Sequence, residues 1–239
     1  KQFPDRFVQC GVHEQFLAAG GAGFALAGKI PFISSYAMFC PGRAWEQIRT
    51  NICLNAVNVK IAGAHAGVSV GPDGATHQAI EDIAIMRVIP NMQIIVPCDM
   101  IETRKATLAA ARLSGPFYVR FAREKSPIFT TEETPFEFGK AAIFHEGLDL
   151  AIIGCGPLVH EAMLAAYELR RRKINARVIN SHTIKPLDEE TILLAAQECG
   201  AIVTVEEHQV IGGLGGAIAE LLAKHCPTPI EMIGIQNQF

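Results

Sequence analysis

The sequence predicts an α/β fold in two domains, each a mostly parallel sheet covered by helices. Three observations carry this. Short apolar runs alternate with helical patterns over nearly the whole length, as parallel strands joined by helices require. One stretch, Arg123 to Phe138, is rich in Pro, Thr and Glu, lacks an apolar period and reads as an interdomain linker. A chain of 239 residues, 49% hydrophobic and 19% charged, has enough apolar material for two cores and is not disordered in character.

The first domain is expected over residues 1–134. Its stretch FVQCGVHEQ, Phe7 to Gln15, places Glu14 where a strand-like run (Phe7, Val8) gives way to a small-residue helix, Phe16 to Gly28. The helix dipole favours an acid at such a start, so on this ground alone Glu14 is a helix-start carboxylate. Strands follow at Phe32 to Ser35, Val57 to Ala62, Gln93 to Val96 and Phe117 to Phe121. Between them the pattern predicts helices over Phe39 to Leu54, Thr76 to Val88 and Asp99 to Leu113, the last opening after a proline on a capping acid. The second domain is expected over residues 135–239. Its strands are Leu150 to Gly154, Ala176 to Asn180, Ala201 to Glu206 and Ile230 to Ile233. Its helices are Leu158 to Arg172, Asp188 to Cys199 and Gly215 to His225.

A net charge of −3 argues against a nucleic-acid or anionic-membrane surface, and the strongest basic run, RRRK at Arg170 to Lys173, reads as a solvated helix end. No apolar segment approaches the ~20 residues that span a bilayer, and the first residues show no signal-peptide pattern. Seven cysteines, odd in number and without CxxC pairing, suit a reducing compartment and small core roles. A cytosolic protein is expected.

Two glycine-rich stretches need weighing. GCG at Gly154 to Gly156 lacks the third glycine and the following acid of a dinucleotide site. IGGLGG, Ile211 to Gly216, precedes a helix and could hold an anion at its N-terminus; close helix–sheet packing is the preferred reading. His65, Asp73 and His77 are spaced too irregularly for one helical face and must converge through a loop. Asp73, in PDG, is a turn residue by default. His77 is expected near a helix start, where a neutral imidazole is favoured. Zinc lacks a completing ligand, and a serine hydrolase lacks its GxSxG elbow. Tyr36 and Phe39 close a strand. They are core aromatics or, at the carboxyl end of a strand in an open α/β sheet, a platform for a flat heteroaromatic ring.

These segments accumulate into a resemblance. The runs FPDRF, GVHEQ, AGKIPFISSYAMF, GRAWEQIR, HAGVSVGPDGATHQAIEDIA and PNMQIIVPCD resemble the pyrimidine-binding domain of transketolases. TIKPLD (Thr183 to Asp188) and VEEHQVIGGLGGAIAE (Val205 to Glu220) resemble their C-terminal domain, so the likeness covers nearly the whole chain in consistent order. It implies that Glu14 contacts the aminopyrimidine ring of thiamine diphosphate. There it would protonate a ring nitrogen, so that the imino tautomer can take the proton from the thiazolium carbon. A carboxyl for that task is expected in a water-poor pocket that raises its pKa. The resemblance further implies that Tyr36 and Phe39 flank the ring, that His65, Asp73 and His77 face sugar hydroxyls, and that Arg123 holds a substrate phosphate. Glu14, His65 and His77 would then be the catalytic set.

Two departures qualify it. Full-length transketolases bind the diphosphate and a divalent metal, such as magnesium, through a GDG…N motif in an N-terminal domain, and nothing here resembles that domain. The chain therefore resembles the C-terminal half of a split transketolase, or a fragment of a longer one. The expectation is an N-terminal partner subunit holding the metal, phosphosugar substrates as in the pentose phosphate pathway, and a homodimer of this chain within a heterotetramer. After Phe39 the chain reads CPGR, where many full-length transketolases carry another aromatic, so Gly42 and Arg43 depart from the pocket pattern. The rivals are 1-deoxyxylulose-5-phosphate synthase, the beta subunit of an α-ketoacid dehydrogenase, and a non-catalytic homologue. His65-Ala66, where the synthases usually carry Asp-Arg, and the EEH of Glu206 to His208 favour transketolase.

Overall fold

The computed structural model describes residues 2–239. Two five-stranded sheets organise the chain. The first has the order β1 (Phe32–Tyr36), β2 (Lys60–Ala64), β4 (Phe117–Arg120), β3 (Gln93–Ile95) and β8 (Thr183–Lys185); all pair in parallel except β8, antiparallel to β3. The second has the order β10 (Ile230–Ile235), β9 (Ile202–Gln209), β6 (Leu150–Gly154), β7 (Ala176–Asn180) and β5 (Ala142–His145), with β5 alone antiparallel. The central strands are buried on both faces, β4 and β7 at every position, as parallel sheets demand. The sheets share a core: Ile33, Ile61, Met86 and Ile94 of the first half lie in one cluster with Ile153, Ile179, Ile184 and Ile218 of the second.

The helices are α1 (Glu14–Leu26), α2 (Trp45–Gln47), α3 (Asp82–Arg87), α4 (Met100–Arg112), α5 (Leu158–Arg171), α6 (Glu189–Cys199) and α7 (Leu214–His225). α4 and α6 start where a side-chain oxygen caps them: Asp99 accepts from the Glu102 N–H at 2.9 Å and Asp188 from the Thr191 N–H at 3.3 Å. α1 buries Glu14, Ala18, Gly21 and Ala22. Its other side leaves Phe16 and Phe24 half exposed beside Val12, which is 90% exposed.

The linker contains no helix or strand, but it is pinned. Asp99 accepts from the N–H groups of Phe129 and Thr130 at 3.0 and 2.7 Å while capping α4. Two short strands escaped the sequence pattern, β5 and β8. β8 comes from the second half of the chain yet completes the first sheet, so the sheets do not divide at the linker.

Three expectations in the first half are corrected. Phe7 and Val8 form no strand; a 3-10 turn spans Pro4–Arg6 just before them. The helix expected over Phe39 to Leu54 is broken by Pro41 and Gly42: the chain turns over residues 37–44, then forms α2 and a π-helical turn, Ile48–Cys53. The helix expected from Thr76 begins only at Asp82. Ala79 is held extended against Ala66, and its carbonyl accepts from the Gly67 N–H at 2.8 Å, which excludes helical backbone there.

RRRK does end α5, exposed. All seven cysteines are free, and Cys40, Cys53, Cys98, Cys155 and Cys199 are buried. No helix among the described residues is long and apolar enough to cross a membrane.

Candidate functional site

The candidate residues gather at the carboxyl ends of β1 and β2. Glu14 is the first residue of α1, and its side chain is 6% exposed. Ser35, near the end of β1, donates to its Oε1 at 3.2 Å. Arg43 donates from Nη1 to Oε2 at 2.7 Å and forms an ion pair with it. This overturns the expected pKa. Burial pushes the Glu14 carboxyl up, but its own backbone N–H, Ser35 and Arg43 together outweigh burial and hold it below the ordinary glutamate value. The free chain presents a carboxylate, not a carboxylic acid.

Tyr36 ends β1, and Phe39 follows in the turn, their ring centroids 6.2 Å apart. Each has one face covered. Tyr36 stacks on His65 with centroids 4.2 Å apart and planes 6° from parallel. Phe39 lies under the Arg43 guanidinium, 4.8 Å from ring centroid to Cζ. His77 sets its ring edge-on to both aromatics, at 6.0 Å from Tyr36 and 5.3 Å from Phe39. His65, Tyr36, Phe39 and His77 therefore form one cluster.

His65 follows β2 with φ +57°, in the left-handed region. Holding a non-glycine residue there costs on the order of 1–3 kcal/mol. The buried Nδ1 of His65 has no hydrogen-bond partner in the protein. An orphaned buried acceptor or donor on a strained residue marks a place for a polar ligand. His77 is not at a helix start. Its N–H closes a turn onto the Gly74 carbonyl at 2.9 Å, ahead of α3, so no helix dipole acts on it. Its Nδ1 lies 2.9 Å from the Thr76 hydroxyl.

Asp73 stands apart from the two histidines in its bonding and pairs with Arg123 at 3.3 Å. Arg123 also donates to the Val70 carbonyl at 2.6 Å. Both side chains are about one-third exposed, so the guanidinium keeps a face toward solvent. The loop between His65 and Asp73 is clamped from the second half of the chain. Glu207 accepts from the Ser69 N–H. Its side chain fills the space a Cβ on Gly67 would need, and Gly67 has φ +83°, so glycine is required twice over.

Beneath the cluster lies a buried network. Arg120 grips Asp82 with two nitrogens, at 2.8 and 3.1 Å, and Tyr118 donates to the same carboxylate at 2.6 Å. Arg120 also donates to the Glu207 carbonyl at 2.9 Å, which ties the halves together. His208 accepts from the Ala84 N–H at Nε2, 3.3 Å, so its Nδ1 carries the proton that bonds the Gln209 carbonyl at 2.7 Å. The IGGLGG helix start does hold an anion: the protein's own Glu206, which accepts from the N–H groups of Leu214 and Gly215, both at 2.8 Å.

Sequence reasoning gave no site role to Ser35 or Glu207 and noted Arg43 only as a departure from the pocket pattern. All three lie inside quoted motifs, but their contacts span 21 to 138 positions and only the fold brings them in.

A planar aminopyrimidine fits this geometry. The site offers a buried carboxylate for a ring nitrogen, an aromatic ring to stack on, and an orphaned imidazole nitrogen nearby. The family described as transketolase, pyrimidine binding domain, matches residues 1–127, and that described as transketolase, C-terminal domain, matches residues 139–238. A Methanocaldococcus jannaschii protein named "Putative transketolase C-terminal section" is 47% identical over 242 residues, covering all of this chain and 76% of the relative. The 6-deoxy-6-sulfo-D-fructose transketolase subunit SqwH of a Clostridium species is 39% identical, covering all of this chain and 74% of the relative. A solved structure described as "Split gene transketolase, inactive beta4 tetramer" superposes with a TM-score of 0.91 at 44% identity, over 98% of this chain and 76% of the other.

Proposed function

The chain belongs to the transketolase family, carrying its pyrimidine-binding and C-terminal domains, and we propose that it is the C-terminal subunit of a split, thiamine-diphosphate-dependent transketolase. With an N-terminal partner it transfers a two-carbon ketol unit from a ketose phosphate to an aldose phosphate, in the cytosol. The observation that carries this is Glu14: a buried carboxylate at a helix start, at the carboxyl end of β1, with Phe39 facing the same guanidinium.

Bound thiamine diphosphate supplies the carbon that accepts and passes on the ketol unit, and the partner subunit holds its diphosphate and a magnesium ion. Within this chain Glu14 binds the ring nitrogen and exchanges a proton there, oriented by Ser35. Phe39 and Tyr36 fix the plane of the ring. His65 and His77 hydrogen-bond the sugar hydroxyls, His65 through its orphaned Nδ1. Arg123 receives the anionic end of the sugar, exchanging part of its pairing with Asp73 for it. One relative is named for a sulfonated ketose; a guanidinium accommodates sulfonate or phosphate alike. The exposed apolar side of α1, with Val12, Phe16 and Phe24, joins two copies of this chain.

The test is reconstitution with an N-terminal subunit. The complex is expected to transfer ketol units and to exchange the thiazolium proton with deuterium, and Glu14→Ala to abolish exchange while remaining folded. Unaltered exchange in the variant returns Glu14 to a helix-start role, and tight metal-dependent cofactor binding by the isolated chain refutes the split-subunit reading.

A further inference from the structure

Arg43 is the residue that neither the family pattern nor the reaction explains. It stands in CPGR, where the resemblance led to another aromatic. The turn that carries it is built for close return. A Cβ on Gly42 would collide with the Met38 carbonyl, so only glycine lets the chain double back there, and the Arg43 N–H bonds the Phe39 carbonyl at 3.0 Å. That return lays the guanidinium over the Phe39 ring, 4.8 Å from the centroid, with Nη1 2.7 Å from Glu14 Oε2. A guanidinium is a flat group with N–H donors at its edge and a face that stacks on aromatic rings. An aminopyrimidine is flat and stacks in the same way, and its protonated ring nitrogen is a donor of the same kind.

We propose that Arg43 is a resident occupant of the pyrimidine pocket: its guanidinium takes the carboxylate oxygen and the ring face that the cofactor's aminopyrimidine must take, so the cofactor enters only when Arg43 swings out. The inference rests on the thiamine-diphosphate reading of the site. Both Glu14 oxygens are already engaged while the pair stands, Oε1 by Ser35 and Oε2 by Arg43, and the guanidinium fills the space beside Oε2. The partners differ in freedom: the Glu14 side chain is 6% exposed and fixed, whereas that of Arg43 is 49% exposed and has solvent to move into. The Glu14 backbone N–H, Ser35 and Arg43 together hold the carboxyl below its ordinary value, so the contact is an ion pair. Arg43 thus keeps the free site closed in shape, and its departure opens it.

The experiment measures affinity, not turnover. Thiamine diphosphate with magnesium is titrated calorimetrically into the complex of this chain with its N-terminal subunit, for the unaltered chain, R43A and R43Q, each first shown to be folded and assembled. Displacing one half-exposed charge-assisted pair is worth about 1–2 kcal/mol, so both variants are expected to bind about 5- to 30-fold tighter. Equal affinity in all three overturns the proposal and leaves the role of Glu14 standing. Weaker binding in the variants also overturns it, and makes Arg43 a cofactor ligand. Binding by none of the three overturns both the proposal and the cofactor reading beneath it.

Discussion

Arg120→Met probes the buried network beneath the candidate site. Arg120 is 4% exposed and Asp82 fully buried, and their two-pronged contact is the main compensation for burying either charge. Methionine fills similar space but leaves the Asp82 carboxylate with the Tyr118 hydroxyl as side-chain donor, and leaves the Ala79 and Glu207 carbonyls short of one. Breaking a buried pair from one side costs about 3–5 kcal/mol. The pH dependence is the sharper signature. In the intact protein burial pushes the Asp82 carboxyl up, but Arg120 outweighs it and holds the group below 3.8, its ordinary value. Its contribution is therefore complete above that pH and is lost only as the pH falls through the lower folded value. Without Arg120, burial dominates and the folded pKa rises above 3.8. The native state then holds a proton that the unfolded chain has released, and stability falls as pH rises. Urea denaturation at fixed protein concentration, from about pH 4 to about pH 7, is expected to show a difference from the unaltered protein that is smallest near pH 4 and widens upward. Adding Asp82→Asn is expected to remove the widening. A loss under about 1 kcal/mol, or one that does not change with pH, refutes the reasoning.

Other expected outcomes follow from the same geometry. His182, buried and stacked on Phe136 at 4.4 Å, has its pKa pushed down to about 4 by burial. It stays neutral in the fold while the unfolded chain takes up a proton below about 6.5, so stability falls by on the order of 3 kcal/mol between about pH 6.5 and 4. His182→Gln is expected to flatten that slope in denaturant titrations, and an unchanged slope refutes the assignment. In the reconstituted complex, His65→Ala and His77→Ala are expected to lower ketose phosphate turnover by about 1–3 kcal/mol of activation free energy, with at least one sparing hydroxypyruvate, which lacks most of the hydroxyls. Arg123→Ala is expected to raise the Michaelis constant for phosphorylated sugars and leave hydroxypyruvate nearly unaffected. Equal losses on both donors would mean that these residues hold the loop or the cofactor instead.

Much of the scaffold was legible because its signals are local. Asp99 and Asp188 mark the starts of α4 and α6 as capping acids should, and the apolar runs of β1, β6 and β7 lie within a residue of their structural positions. The site was legible in composition but not in conformation. The helices expected over 39–54 and 76–88 start late, at Trp45 and Asp82, because tertiary contacts decide the residues before them: the Gly42 return and the pairing of Ala79 with Ala66. The raised pKa expected for Glu14 failed for the same reason. Burial was foreseeable, whereas the Glu14 backbone N–H, Ser35 across 21 positions and Arg43 across 29 together reverse the sign. β8 escaped because three residues carry no periodicity, and only the edge of the first sheet gives them a partner.

The EEH of the second half entered as a family signature, and the fold gives each residue a separate physical task. Glu206 satisfies the first N–H groups of α7, Glu207 holds Ser69, and His208 caps the approach to α3 at Ala84. The last two reach into the first half, on either side of the turn that carries His77. His65 accordingly sits between two constraints. The first half stacks Tyr36 on its ring, and the second half, through Glu207, fixes the backbone immediately after it. A left-handed histidine with an unsatisfied buried nitrogen persists only where its surroundings over-determine it. The C-terminal domain therefore contributes by positioning: its Glu207 carboxylate holds the loop that follows His65 and its His208 imidazole holds the first turn of α3, while the residues that would touch the cofactor ring come from the first half.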